Sequence, residues 1–111
     1  MPSVNSTPRI VLTTASSLEE AEHIGRTLVE ESLAACANLI PGVRSIYRWQ
    51  GQLESASETL LLLKTGADQL PSLEVRLHQL HSYETPEFLV LPVESGSQAY
   101  LEWLSASLRT P

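Results

Sequence analysis

The segment from Leu33 to Gly51, LAACANLIPGVRSIYRWQG, constrains the fold more than any other part of the chain. It is apolar, and Pro41-Gly42 in its middle would end any helix. We therefore predict a long strand over Ala37–Trp49, bulged at Pro41-Gly42, because proline lacks the N–H of the strand ladder and glycine adopts backbone angles that other residues avoid. Most strands have about 5–6 residues. The far half of this one needs a partner outside a small sheet, and a second copy of the chain is the expected partner.

The other elements follow from apolar periodicity and from capping residues. A first helix is predicted over Leu18–Ser32, with Ser17 as N-cap and Glu20 at the capping-box spacing. A second is predicted over Gln69–Leu80 with Asp68 as N-cap, and a third over Gln98–Leu108, capped by Ser95-Gly96-Ser97. Strands are predicted over Arg9–Thr14, Glu58–Lys64 and Glu87–Val93, with Leu53–Ser57 as an irregular or edge portion. Gln50-Gly51 predicts a tight hairpin turn. Residues 1–8 are expected to be a mobile tail, and residues 9–111 a single domain.

This order, β-α-β-β-α-β followed by a helix, predicts an α+β fold of the ferredoxin-like type with an antiparallel sheet. Right-handed crossovers place both main helices on the same face. The strand runs Ile10–Leu12, Leu60–Leu63 and Phe88–Leu91 are apolar without alternation, which indicates burial on both faces. Either the last helix crosses the open face or other subunits cover it. We expect an oligomer, because large exposed apolar patches are rare on monomers.

Charge and composition exclude several classes of function. The formal net charge of −6 argues against nucleic acid and against an anionic membrane surface as partners. A single cysteine permits no disulfide within the chain. The N-terminal residues lack the pattern of a signal peptide, so a cytoplasmic location is expected.

Two regions offer candidate metal ligands. Cys36 can act as a thiolate ligand or nucleophile, or it can be a small buried apolar residue. His78 and His81 are three residues apart, and together with Glu84 they are the donor types that suit Cu²⁺ or Zn²⁺. The alternative is that His81 ends the second helix, where a cation opposes the negative end of the helix dipole.

The segment before the last strand offers a candidate ligand cleft. Loops at strand starts often carry function, and this one is rich in polar residues around Thr85-Pro86. The residues expected to line a cleft between subunits are Tyr47, Trp49, Lys64, Tyr83 and Glu87. The alternative is a structural turn in which a glutamate pairs with an arginine or lysine. The chain has no glycine-rich phosphate loop and no Ser/His/Asp set, so we expect neither an organic cofactor nor an enzyme.

Four segments resemble the CutA family, the divalent-cation tolerance proteins: Leu28–Gly51, LLLKT at Leu61–Thr65, HSYETPE at His81–Glu87 and YLEWL at Tyr100–Leu104. The resemblance implies a compact homotrimer similar to the PII signalling proteins, in which long hairpins pair between subunits. Ser82 stands where the family usually has proline. Thr13 and Leu80 stand where some bacterial members have the cysteine and second histidine associated with copper, so that only His81 of that set remains.

These observations lead to one main hypothesis and two alternatives. The main hypothesis is a non-enzymatic trimer linked to divalent-cation (copper) tolerance, acting through weak metal binding at His81, Glu84 and Cys36 or through PII-like signalling. The first alternative is a sensor that binds a small-molecule effector between subunits. The second is a small thiol enzyme that uses Cys36 with His81.

Overall fold

The computed structural model describes residues 6–110 and has the expected α+β architecture. In chain order the elements are β1 (Pro8–Ala15), α1 (Leu18–Glu30), β2 (Cys36–Trp49), β3 (Gln52–Gly66), α2 (Leu70–Leu80), β4 (Leu89–Pro92) and α3 (Gln98–Ala106). The strands form one antiparallel sheet in the order β2-β3-β1-β4. This is the split βαβ topology that the element order predicts.

The hairpin of β2 and β3 dominates the shape of the molecule. The bulge predicted at Pro41-Gly42 is confirmed, because the register shifts there and the pair Ile40–Leu60 is followed by Val43–Glu58. Gly42 has a φ of +77°, an angle that glycine adopts without strain. The predicted hairpin turn is also confirmed: Gln50 and Gly51 both have positive φ, at 51° and 80°, as a two-residue type I′ turn requires.

β3 begins much earlier than predicted. It runs without interruption from Gln52, so of the two predictions for Leu53–Ser57 the irregular portion is wrong and the edge portion is confirmed, since the pairing with β1 stops at Thr59. Pairing with β2 along its whole length imposes the strand conformation where the local sequence favours it only weakly. β1 ends at Ala15 opposite Thr59, so the outer part of the hairpin pairs only within itself. The longest dimension of the molecule is therefore 52 Å.

The core lies between the sheet and the two main helices. Val11, Leu61 and Leu63 on the inner face of the sheet are fully buried against Leu28 of α1 and Leu77 of α2. Along β1 and β3 the residues between them point to the other face and are only half-buried. Alternate side chains of these apolar runs therefore belong to the core between the sheet and the helices α1 and α2. The side chains between them lie on the opposite face of the sheet and need another element to cover them.

α3 provides part of that cover. Lys64, on the outer face of β3, places its ammonium group 5.9 Å from the ring centroid of Tyr100 in α3. Large apolar side chains beyond α3 stay exposed, among them Ile40 of β2 and Leu89 and Leu91 of β4. The last helix therefore covers part of the open face, which was the alternative to coverage by other subunits, and leaves the rest of it bare. No helix within residues 6–110 is long and apolar enough to cross a membrane.

Three helix ends differ from the sequence-based expectation. α1 stops at Glu30 because Ser32 adopts a φ of +57°, and the N–H of Leu33 then donates to the carbonyl of Leu28 in a Schellman motif. Asp68 does not cap α2, since it lies in a 3-10 turn over Ala67–Gln69 that precedes the helix. α3 begins as predicted, with the Ser97 hydroxyl accepting from the N–H of Tyr100, but it ends at Ala106.

The predicted tail is too long at its C-terminal end. Residues 1–5 lie outside the described residues. Ser6 donates its N–H to the hydroxyl of Ser105 and accepts from the N–H of Asp68, while the carbonyl of Thr7 accepts from the N–H of Ala67. β1 then starts at Pro8. The domain therefore includes residues from Ser6 onward.

Candidate functional site

His81 occupies the first position after α2, with an extended backbone that turns the chain back towards the sheet. Its Nε2 lies 2.7 Å from the carbonyl oxygen of Thr14, and its Nδ1 accepts the N–H of Tyr83 at 3.0 Å. Because Nδ1 accepts, the ring proton is on Nε2, where it donates to Thr14. Both ring nitrogens of His81 are thus engaged in hydrogen bonds, and its side chain is fully buried.

Glu20, in the first turn of α1, also binds the loop that follows α2, which begins with His81 and Ser82. One carboxylate oxygen accepts from the N–H and hydroxyl of Ser16, and the other accepts the N–H of Ser82 at 2.8 Å. Burial opposes ionisation of Glu20, but the hydrogen bonds from Ser82 and Ser16 outweigh it and lower its pKa to about 2. Ser17 caps α1 as predicted, whereas Glu20 bonds to Ser16 instead of completing the capping box.

Tyr83 links the loop to β3. Its hydroxyl donates to Oε2 of Glu58 at 2.7 Å, and its ring lies 4.7 Å from that of His81. Burial raises the pKa of Tyr83, and so do this hydrogen bond to the Glu58 carboxylate and the charges of Glu58 and Glu20, with a smaller effect from Tyr47. Burial and the charge of Glu58 likewise raise the pKa of Glu87. Two predicted cleft residues, Tyr83 and Glu87, therefore lie close to Glu58, and Tyr47, which pairs with Glu54 further out on the hairpin, lies within electrostatic reach of Tyr83.

Glu58 is the member of this group that sequence reasoning missed. It is a buried carboxylate at the point where β3 passes the end of β1 and enters the sheet. The available signal was a charged residue two positions before the apolar run Leu60–Leu63. A glutamate in that place has to find a partner, because a buried charge is costly unless it is hydrogen-bonded.

The remaining cleft candidates lie elsewhere in the protomer. Lys64 is the cross-strand partner of Cys36, at the opposite end of the sheet portion of β3, and its ammonium faces Tyr100. Trp49 is at the hairpin tip and is 56% exposed. Neither joins the group around Glu58 within one protomer.

The predicted metal ligands do not converge either. α2 ends before His81, so His78 and His81 do not share a helical face, and the His78 ring bonds to the carbonyl of Glu74 instead. Glu84 is exposed, and Cys36 is half-buried beside Asn38. No group of three or more His, Cys, Asp or Glu residues within 6–110 is arranged to hold a metal ion. A copper site built from His81, Glu84 and Cys36 therefore does not fit one protomer.

Cys36 and His81 are also too far apart to act as a thiol–imidazole pair. Cys36 pairs with Lys64 on β3, while His81 is bonded to Thr14, whose partner on β3 is Leu60. These positions differ by four residues, or roughly 13 Å at the rise of a β-strand. Proton transfer between the two side chains needs hydrogen-bond contact, which this arrangement does not provide.

Comparison with known proteins gives a consistent result over nearly the whole chain. The family model described as CutA1 divalent ion tolerance protein matches residues 9–107. The chain is 48% identical over 95 residues to the divalent-cation tolerance protein CutA of Thermus thermophilus, covering 86% of this chain and 92% of that protein. It is 40% identical over 100 residues to the chloroplastic protein CutA of Arabidopsis thaliana, covering 90% of this chain and 55% of that protein.

Solved structures agree with this. A divalent cation tolerance protein from Thermus thermophilus superposes with a TM-score of 0.90 at 45% identity, covering 92% of this chain and 99% of that chain. CutA1 from Oryza sativa superposes with a TM-score of 0.92 at 34% identity, covering 97% of this chain and 100% of that chain.

Proposed function

The chain belongs to the CutA1 family of divalent ion tolerance proteins, and on this premise we propose that it is a cytoplasmic, non-enzymatic homotrimer that serves divalent-cation tolerance through PII-like signalling. In this proposal a ligand binds in clefts between subunits, and copper binds only weakly. The protein would sense a signal linked to cation stress without storing the cation itself.

The observation that carries the proposal is that His81 has no ring nitrogen available for a metal ion. Both imidazole nitrogens are used inside the fold, by Thr14 and Tyr83, so a cation could reach the ring only by displacing one of these hydrogen bonds. Cu²⁺ needs several donors that converge on one point. Capture of copper by this loop is therefore expected to be weak, and a role that does not depend on tight metal binding fits better.

The trimer is supported by the surface that one protomer leaves uncovered. Among residues 6–110, β2 and β4 are the two edge strands of the sheet and have no strand partner on their outer sides. Ile46, Leu53 and Trp49 on the outer part of the hairpin are among the exposed large apolar residues. Contact with further copies of the chain would pair these edges and bury these side chains, and the acidic group around Glu58 and Tyr83 would then face a neighbouring subunit.

That group also favours a small-molecule effector as the ligand. Glu58 and Glu87 offer carboxylate oxygens, and Tyr47 and Tyr83 offer aromatic rings with hydroxyl groups. Such a set suits a molecule with hydrogen-bond donors and a flat or apolar body. The aromatic tip residue Trp49 of another subunit would complete the cleft.

Native mass spectrometry of the protein purified without added ligand tests the assembly and its contents together. We expect the mass of three chains, with any retained small molecule visible as an added mass. The melting temperature should also rise with protein concentration, because folding and assembly are linked. A monomer mass across micromolar concentrations would refute the trimer.

Calorimetry with Cu²⁺ tests the metal part of the proposal. We expect a dissociation constant no tighter than about micromolar, and weaker binding as the pH falls, because a protonated imidazole is not a ligand. His81→Ala should reduce what binding there is, and His78→Ala is the matched control. Nanomolar binding by the wild-type protein would show that the protein captures copper directly.

A further inference from the structure

A cleft of about 430 Å³ lies on the helix side of the protein, between the end of α1, the length of α2 and the segment that follows α3. Its lining includes the charged residues Glu31, Arg76 and Arg109 and the apolar residues Leu33, Pro71 and Val75. Glu31 and Glu20 lie at opposite ends of α1, which has 13 residues and spans about 20 Å. The cleft is therefore separate from the group around Tyr83, and it lies away from the apolar face that the proposed trimer would cover.

Arg76 and Glu31 form a bidentate ion pair on one wall. Nε of Arg76 lies 3.0 Å from Oε1 of Glu31, and Nη2 lies 2.9 Å from Oε2. The remaining Nη1 donates to the side chain of Gln79 at 3.1 Å. This wall is therefore locally neutral, with Arg76 held in one orientation.

Arg109 brings a second guanidinium to the cleft from a fixed backbone. Its N–H donates to the carbonyl of Ser32 at 3.0 Å, and its own carbonyl accepts from the side-chain amide of Gln69, which is 2% exposed. Within residues 6–110 no hydrogen bond engages its guanidinium. Hydrogen bonds from Arg76 lower the pKa of Glu31, burial opposes this, and the charge of Arg109 adds to the lowering. The guanidinium of Arg109 is thus within electrostatic reach of Glu31 and has free donors.

The charges and the floor of the cleft define what can bind there. Two guanidinium groups face one carboxylate, which leaves one net positive charge in a chain whose formal net charge is −6. Val75 is 60% exposed on the outer side of α2, and with Pro71 and Leu33 it makes the floor apolar. The volume is in the range of sites for small organic molecules, roughly 300–1,000 Å³.

We propose that this cleft is a binding site for a small organic monocarboxylate. The carboxylate pairs with the guanidinium of Arg109, which presents its donors in the fork geometry that carboxylates accept. The hydrocarbon part packs on Val75 and Pro71. One negative charge matches the net charge of the cleft, whereas a second would meet the carboxylate of Glu31. This site is independent of the proposed trimer and of any metal.

Titration of the isotope-labelled full-length protein with hexanoate, followed by amide chemical shifts in NMR, tests the proposal. We expect saturable shifts in residues 72–79 and at Arg109, with a dissociation constant of about millimolar or below. Arg109→Gln should weaken binding at least about tenfold, because it removes the positive charge and the guanidinium donors and leaves a polar side chain. Arg26→Gln is the matched control, since Arg26 is an exposed arginine paired with Glu22 on another face, and it should leave binding unchanged.

Two further experiments distinguish binding at a specific site from nonspecific electrostatic attraction. Val75→Asp should abolish hexanoate binding, because it places a carboxylate on the apolar floor. Acetate should bind at least about tenfold more weakly than hexanoate, because it lacks the hydrocarbon part. Equal binding of acetate and hexanoate, unchanged binding by Arg109→Gln, or shifts that do not saturate would each overturn the proposal.

Discussion

The Nε2 atom of His81 lies 2.7 Å from the carbonyl oxygen of Thr14, and this contact ties the loop after α2 to the end of β1. His81→Ala would leave that carbonyl and the N–H of Tyr83 without their partners. We expect a loss of about 2–4 kcal/mol in the free energy of unfolding, measured by urea denaturation at neutral pH. His78→Ala, at an exposed position, should change it by less than about 0.5 kcal/mol. Equal effects of the two substitutions would show that the His81 contacts contribute nothing specific.

Thr13 and Thr65 are a matched pair of fully buried threonines. The hydroxyl of Thr13 has no hydrogen-bond partner among residues 6–110, whereas that of Thr65 donates to the carbonyl of Leu33 at 2.8 Å. Valine has nearly the same shape without the hydroxyl. We expect Thr13→Val to raise the free energy of unfolding by about 1 kcal/mol and Thr65→Val to lower it by about 1–2 kcal/mol. Two changes of the same sign would contradict this assignment.

Glu20 should make stability depend on pH in the acid range. Its pKa in the folded protein is about 2, below the ordinary value of 4.5, so the ionised form is the one that folding favours. The stabilisation is complete above about pH 4.5 and is lost as the pH falls through about 2. Unfolding free energies between pH 2 and 6 should therefore fall less steeply in Glu20→Gln than in the wild type. Glu22→Gln, on the exposed side of the same helix, serves as the control and should keep the wild-type slope.

Trp49 should report on assembly. It is 56% exposed in the protomer, and the proposed trimer would bury it at a subunit contact. Trp49→Ala should then cost about 3–5 kcal/mol in the assembled protein and shift the mass measured by light scattering towards the monomer. Val75→Ala, on the helix side, should leave the mass unchanged. Unaltered assembly and melting of Trp49→Ala would place this side chain in solvent.

The parts of the fold that local chemistry decides were predictable from the sequence. Pro41-Gly42 excluded a helix and predicted the bulge correctly. The missing N–H of proline and the backbone freedom of glycine are local properties, so they do not depend on a distant partner. Ser17 and Ser97 marked the starts of two helices for the same reason. The α+β class followed from the order of such elements.

The parts that a distant partner decides were not predictable. Leu53–Ser57 is a strand because β2 lies beside it. Asp68 does not cap α2 because it lies in the 3-10 turn before the helix, where its N–H donates to the distant residue Ser6. In the candidate site, Tyr83 and Glu87 were found from the polar loop, but Glu58 belongs to a strand far away in the sequence. The sequence does not reveal how β2 and β3 are aligned, so it could not show that Lys64 lies away from Tyr83 and Glu87. The observed alignment places Lys64 opposite Cys36.

The bulge in β2 also limits how the chain can change in length. Beyond Ile40 the strand carries one residue more than β3. Deletion of Gly42 would make the ladder regular with Val43 still opposite Glu58, so Tyr47 and Trp49 would keep their face. Deletion of both Pro41 and Gly42 would bring Val43 opposite Thr59 and turn them to the opposite face. Insertions at the Gln50-Gly51 tip would leave the faces of residues 43–49 as they are. Relatives of this protein should therefore tolerate changes of length at the tip, and at the bulge the loss of one residue but not of two.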